Sequence, residues 1–271
     1  MSRKKWSNEK IFARLLTNKS DKTYWNNIQE LHSRATNEVF IKCCELVKSS
    51  NQKEIVIGVN VLAQLGVEKR LFKNETLQVL FEILETTEDS KVIMSVLNAI
   101  GHNNSESLTD SQIAFLTNFK THSNSGVRYS LVYSLLFIEN KKAIETLVYL
   151  SDDKMSWIRD WATFGIGQIE RNNKTIREAL WKRVNDKHQD TKLEAIVGLA
   201  KRKDKRIKEI IIRELSGGEF GTLLFEAIEE INDKEFLPIL NETLQKAEKD
   251  KTINSDWSND LKSCLERLNK R

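Results

Sequence analysis

Histidine and cysteine are the first residues to examine for chemistry, because they ligate metals and act as bases or nucleophiles. His32, His102, His122 and His188 stand far apart, with no metal-ligand spacing among themselves or toward Cys43, Cys44 and Cys264. There is no Gly-x-Ser-x-Gly elbow and no phosphate loop, and Gly165-Ile-Gly167 falls inside a predicted helix rather than after a strand. The expectation is therefore no catalytic residue, no metal and no cofactor: a chain that is not an enzyme.

Recognition chemistry is better represented. Trp157 and Trp161 are four residues apart, with Arg159 and Asp160 between them. Trp and Arg are enriched at binding hot spots, so Trp157 with Arg159 is the strongest single anchor. The competing reading has Trp157 covering a neighbouring helix and Trp161 in the core. Arg128, Arg159 and Lys192 recur at one position of a repeat. Such a ladder either meets an acidic partner or pairs with acidic turn residues such as Asp152, Asp153 and Asp190; the structural role is the usual one. Tyr129 and Asp160 share the next position, and Glu194 is a carboxylate amid Ala195, Ile196 and Val197. The run from Lys201 to Arg206, extended by Lys208, could meet phosphate. It reads more simply as a solvated helix end and turn, since it lacks interleaved aromatics.

The elements that position these residues repeat. Val92-Ile-Met-Ser-Val-Leu-Asn-Ala-Ile-Gly101, Val127-Arg-Tyr-Ser-Leu-Val-Tyr-Ser-Leu-Leu136, Ile158-Arg-Asp-Trp-Ala-Thr-Phe-Gly-Ile-Gly167 and Thr191-Lys-Leu-Glu-Ala-Ile-Val-Gly-Leu-Ala200 begin 35, 31 and 33 residues apart. Ile158, Trp161, Ala162, Gly165, Ile166 and Ile169 form one helical apolar stripe. The small residues Ala162, Gly165, Ala195 and Gly198 would let a neighbouring helix approach closely. A second helix lies between successive copies, near 74–86, 110–121, 141–150, 174–185, 204–215 and 234–247, with Asn74, Asp110 and Asp204 placed as N-caps. Weaker copies pair 37–49 with 53–65, 204–215 with 219–231, and 234–247 with 256–269. Helices near 7–17 and 23–34 read as an N-terminal cap. The glycine-rich stretch 217–221 reads as an inter-helix turn.

The Val-Arg and Ile-Arg starts, the polar turns before them and the Ala/Gly endings resemble short bacterial HEAT repeats of the phycobilisome-lyase-like kind. The match is clearest over residues 50–215. The resemblance implies an all-α, right-handed α-solenoid, a superhelix of about seven HEAT-like hairpins. In it residues 1–36 form the helical cap and 37–271 one continuous array. It brings no catalytic residues with it.

Composition agrees with helix throughout: one proline, ten glycines, 39 % hydrophobic and 30 % charged residues, the charges of both signs interspersed. The net charge of +4 is low for a dedicated nucleic-acid binder. Three cysteines, two of them adjacent, suggest a reducing compartment. No apolar run suits a signal peptide or a membrane span, so a cytoplasmic protein without a membrane partner is expected. The leading functional expectation is a protein-binding scaffold that uses its concave face, with Arg128, Tyr129, Trp157, Arg159, Asp160, Lys192 and Glu194 as contacts. An immunity or antitoxin-type protein that masks a toxin is a narrower form of it. The alternative is a nucleic-acid-binding protein such as an alkylated-base DNA glycosylase, loosely suggested by Trp157, Trp161, Trp181 and Asp160. Oligomeric state is left open.

Overall fold

The computed structural model describes residues 3–104, 108–217, 220–250 and 252–270. Among these residues there are sixteen α-helices, three 3-10 turns and no strand. The chain divides into two compact units, residues 1–143 and 144–271.

The first unit contains α1 (Asn8–Thr17), α2 (Asp21–His32), α3 (Asn37–Leu46), α4 (Gln52–Ala63), α5 (Lys73–Thr86), α6 (Ser90–Gly101), α7 (Asp110–Leu116) and α8 (Ser125–Leu135). Seven of these eight begin at a side-chain cap: Ser7, Ser20, Thr36, Asn51, Asp89, Thr109 and Asn124 each accept an amide of the first turn. Two expected caps move. Asp110 is the first helical residue, because Thr109 and Gln112 make a reciprocal capping box one position earlier. Asn74 lies inside the first turn of α5, which has no side-chain cap. The helix expected over 110–121 is interrupted, continuing as a 3-10 turn from Thr117 to Thr121.

The even-numbered helices α2, α4, α6 and α8 pack on one another in sequence, while α3 and α5 pack on their own partners. The layer of second helices is thus continuous through the unit. Its core is Ile28, Leu31, Ile57, Val61, Val96, Leu97, Ile100, Leu131 and Leu135, all fully buried. Asn103, also buried, donates to the carbonyls of Ala63 and Ala99 and so ties the ends of α4 and α6 together. The loop from α4 to α5 is unusual. Gly66, Val67 and Arg70 all have positive φ, at 89°, 50° and 42°, and the Gly66 amide donates to the carbonyl of His32.

The chain divides within α9 (Lys141–Leu150). The second unit holds α10 (Ser156–Gln168), α11 (Lys174–Arg183), α12 (Gln189–Lys201), α13 (Ile207–Gly217), α14 (Leu223–Ile231), α15 (Leu237–Lys249) and α16 (Ser255–Lys270). The same layering recurs, with α10, α12, α14 and α16 in sequence. The helices α10 and α12 approach very closely: a Cβ added to Gly198 would lie 3.0 Å from Gly167 Cα and 3.0 Å from the Leu180 methyls. Gly167 and Gly198, at or near the ends of their repeat motifs, are what permit this contact. Asp204 is not a first-turn cap, since α13 begins at Ile207. Its carboxylate instead accepts from Arg177, Trp181 and Arg206. Pro238 sits in the first turn of α15, where its missing N–H costs nothing and its fixed φ suits a helix. Of the expected turn at 217–221, residues 218 and 219 lie outside the described residues.

Candidate functional site

The second-helix layer of the first unit carries an open groove of about 770 Å³. It is lined by Trp25 of α2, by Gln52, Val56, Asn60 and Gln64 along α4, by Lys91, Met94 and Asn98 on α6, and by Tyr129 and Tyr133 on α8. These positions recur every three or four residues because they are the non-core edge of each helix. Trp25 is 52 % exposed. At one end Gln64 donates to His102 Nε2 (3.3 Å), which leaves Nδ1 protonated to donate to the Tyr133 hydroxyl (3.2 Å). Burial holds both His102 and His32 below the usual imidazole range. The lining residues include Lys53, Lys91, His32 and His102 but no aspartate or glutamate.

The second-helix layer of the second unit has the opposite character. Glu194 of α12 is half-buried. Loss of hydration, then the charges of Asp160 and Glu226, push its carboxyl up to about 7. Asp160 of α10 is raised in the same way, by burial first and then by Asp190. One Asp160 oxygen is buried without a hydrogen-bond partner. Lys201 tempers the cluster, pairing with Glu226 at 2.9 Å and donating to Gln168. Donor atoms of Asp160, His188 and Asp190 lie within 4.8 Å of one another. The linear sequence does not show this grouping, because the residues come from two helices 28 positions apart (188 − 160). His188 is the N-cap of α12, its Nδ1 accepting the Thr191 amide, so only Nε2 is open to another group. Three ligand atoms, two of them hard carboxylate oxygens, do not by themselves specify an ion.

The predicted contacts separate into two kinds. Arg128 is buried, and its guanidinium donates to the carbonyls of His122 and Ser123. Arg159 repeats the pattern one repeat on, donating to the carbonyls of Asp153 and Lys154. Each arginine thus fastens the turn that precedes its own helix. Arg159 also makes a bidentate pair with Asp186, at 2.9 and 2.8 Å. That pairing holds the Asp186 carboxyl down at about 2. The acid of the ladder is therefore Asp186, in the turn before α12, whereas Asp152 pairs with Lys182 and Arg183. Lys192 pairs with Glu214 of α13. Tyr129 and Asp160 are half-exposed, but Leu193 at the same repeat position is buried, as is Ser130 at the next.

Trp161 departs from expectation. It is 38 % exposed and not in the core. The buried residues of α10 (Ile158, Ala162, Gly165, Ile166) centre the apolar stripe, and at about 100° per residue Trp161 falls on its open edge. Its ring meets Phe164 edge-on at 5.8 Å. Trp157 is half-buried.

The basic run is absorbed by the fold. Arg202 is buried and donates to the carbonyls of Ile166, Gly167, Gly198, Ile169 and Arg171, closing the end of α10. Lys203 pairs with Glu230, Arg206 with Asp204, and Lys208 with Asp233 and Glu235. Trp181 lies on α11, its N–H on Asp204 and its ring under Arg206 at 4.7 Å. It belongs to a structural contact with Asp204 and Arg206.

No helix of the described residues is long and apolar enough to cross a membrane. No known family profile matches the chain. Over 132 residues, 49 % of its length, it is 32 % identical to protein YibA of Escherichia coli K12, and equally to YibA of strain O157:H7. The matched segment spans 47 % of those relatives, so the chain covers about half the length of the curated proteins it matches. The X-ray structure of E. coli YibA aligns with a TM-score of 0.77 at 21 % identity, covering 99 % of this chain and 94 % of that one. An engineered protein aligns with a TM-score of 0.55 at 18 % identity, over 94 % and 77 % of the two chains. Sixteen helices without a strand among the described residues, alternating in layers, and these structural likenesses make the chain a helical repeat protein of the α-solenoid class, similar in fold to YibA.

Proposed function

We propose that the chain is a protein-binding repeat scaffold whose second-helix layers present the contact face. One observation carries this reading: aromatic side chains stay exposed on that layer in each unit, Trp25 at 52 % and Trp161 at 38 %. Large rings left in water beside polar groups are what protein contact sites use as anchors. The mixed charge of the faces supports a protein over a phosphate backbone. The groove of the first unit is lined without acids, but the face of the second carries Asp160, Asp190, Glu194 and Glu226. The bases of the 201–208 run, the best phosphate contacts in the sequence, are largely spent on internal partners. A role as an immunity-type protein is the narrower form of this reading, and it requires a partner whose toxicity the chain suppresses.

The test is affinity capture from the source organism with the wild type and with Trp25→Ala and Trp161→Ala, each checked for unchanged helicity. The reading expects a protein partner that is retained by the wild type and weakened by at least one variant. Capture of nucleic acid alone, or of partners indifferent to both variants, would contradict it.

A further inference from the structure

The seam between α10 and α12 in the second unit gathers polar groups that the scaffold reading does not use. Gly167 of α10 faces Gly198 and the Glu194 carbonyl of α12. Asp160, near the start of α10, meets His188 and Asp190 at the start of α12, so the two helices run side by side in the same direction. Thr163 and Asp160 stand four and seven residues before Gly167, one and two turns back on that same face of α10. Thr163 is fully buried, yet its hydroxyl has no hydrogen-bond partner. One Asp160 oxygen is also sealed from water without a donor. A helical threonine ordinarily returns its hydroxyl to a carbonyl of the preceding turn, and a buried carboxylate oxygen ordinarily takes a donor. Two orphaned groups a turn apart on one face point to a polar ligand at the head of the seam. Burial and the charges of Asp190 and Asp186 all raise the Asp160 carboxyl, and only the His188 charge opposes them. A water molecule would leave that crowding of negative charge unanswered, whereas a cation answers it.

We infer that Asp160, His188 and Asp190 bind a divalent transition-metal cation at the head of this seam, through an oxygen of each aspartate and Nε2 of the histidine, with water completing its shell on the Thr163 side. The three donor atoms lie within 4.8 Å of one another. Two ligands of one such cation can stand at most about 4.2 Å apart, twice a bond of about 2.1 Å, so a small turn of the exposed Asp190 side chain closes the set. The imidazole selects the class of ion. Nitrogen suits zinc, cobalt and nickel, whereas magnesium and calcium take oxygen ligands. Ligation uses the lone pair of Nε2, so the imidazole proton sits on Nδ1. There it donates to the hydroxyl of the fully buried Thr191, 3.1 Å away, the kind of hydrogen bond that holds a metal-bound imidazole in place. The ring gives up in exchange only a long contact from the Thr191 amide, at 3.4 Å. The positive end of α12 opposes a cation, and Asp190 in its first turn offsets that end. The inference does not depend on the scaffold reading.

The experiment is isothermal titration calorimetry of the full chain, stripped with EDTA, against Zn²⁺, Mg²⁺ and Ca²⁺ in turn. Asp160→Asn, His188→Asn and Asp190→Asn are measured alongside the wild type, each checked for unchanged helicity. Asparagine is itself a good N-cap, so His188→Asn removes the imidazole and keeps the start of α12. Asp190 is exposed, so Asp190→Asn keeps the test alive if another variant fails to fold. The wild type should take up a single equivalent of Zn²⁺ with micromolar or tighter affinity, and Mg²⁺ and Ca²⁺ about tenfold or more weakly. Each folded variant should weaken Zn²⁺ about tenfold or more. Co²⁺ added to the wild type should show the visible absorption of a nitrogen-ligated ion, and His188→Asn should lose it. No Zn²⁺ binding at millimolar concentration, wild-type affinity in the folded variants, or Mg²⁺ bound as tightly as Zn²⁺ would overturn the inference.

Discussion

Glu194→Gln should stabilise the folded chain near pH 8 and change it little near pH 4. Burial and the neighbouring carboxylates lift the Glu194 carboxyl from its ordinary 4.5 to about 7. A carboxyl whose pKa is higher folded than unfolded holds its proton more tightly in the folded state. Its favourable contribution is therefore fully present below 4.5 and is lost as pH rises through 7. At about 1.36 kcal/mol per unit, that displacement would amount to roughly 3 kcal/mol. Glu194 is only half-buried, so water screens much of it, and about 1–1.5 kcal/mol is the working magnitude. Glutamine copies the shape of the protonated acid and cannot ionise. Urea unfolding of both proteins at about pH 5 and about pH 8 measures the difference. The midpoint of the variant should exceed that of the wild type at the higher pH, and the gap should shrink at the lower. Asp160→Asn should narrow the gap as well, because it removes the second-ranked cause of the shift. Equal midpoints at pH 8, or a gap that grows toward pH 5, would refute the electrostatic account of this face.

Three further outcomes follow from the same contacts. Arg159→Ala should cost about 1–2 kcal/mol of stability, since Asp186 loses its bidentate partner and keeps only Arg183 and the His188 amide, while the folded fraction keeps its partner affinity; thermal melts with binding measurements separate the two effects. Asp186→Asn should blunt acid unfolding. The depressed carboxyl stabilises the fold above 3.8 and loses that contribution as pH falls through about 2, so an acid titration followed by circular dichroism should show a shallower limb in the variant. Gly198→Leu should destabilise the second unit by about 3 kcal/mol or more, because even a Cβ meets the Gly167 backbone; an unchanged unfolding midpoint would contradict the close α10–α12 approach.

The helices were legible in the sequence because their signals are local. The stripe of Ile158, Ala162, Ile166 and Ile169 and the small Gly198 act within a turn or two of the chain, whereas none of the expected caps Asn74, Asp110 and Asp204 is the cap of its helix. Helix starts shifted where a side chain found a more distant partner, as Asp204 did with Arg177 and Trp181. The face was less legible. Trp161 has the composition of a core residue, and only the packing of α10 on α12 decides that its edge of the helix stays open. Asp186 and Arg202 look like ordinary turn charges until the neighbouring repeat brings Arg159 and the α10 carbonyls to them.

Site-specific photocrosslinking in the source organism tests the central claim most directly. A benzoylphenylalanine at Trp25, Tyr129 or Trp161 reports on the second-helix layers, and one at Glu178, exposed on α11, reports on a first helix. The account predicts that one partner protein crosslinks from the second-helix positions and not from Glu178. Crosslinks to that partner from Glu178 alone, with none from the second-helix positions, would place the contact face on the first helices and contradict it.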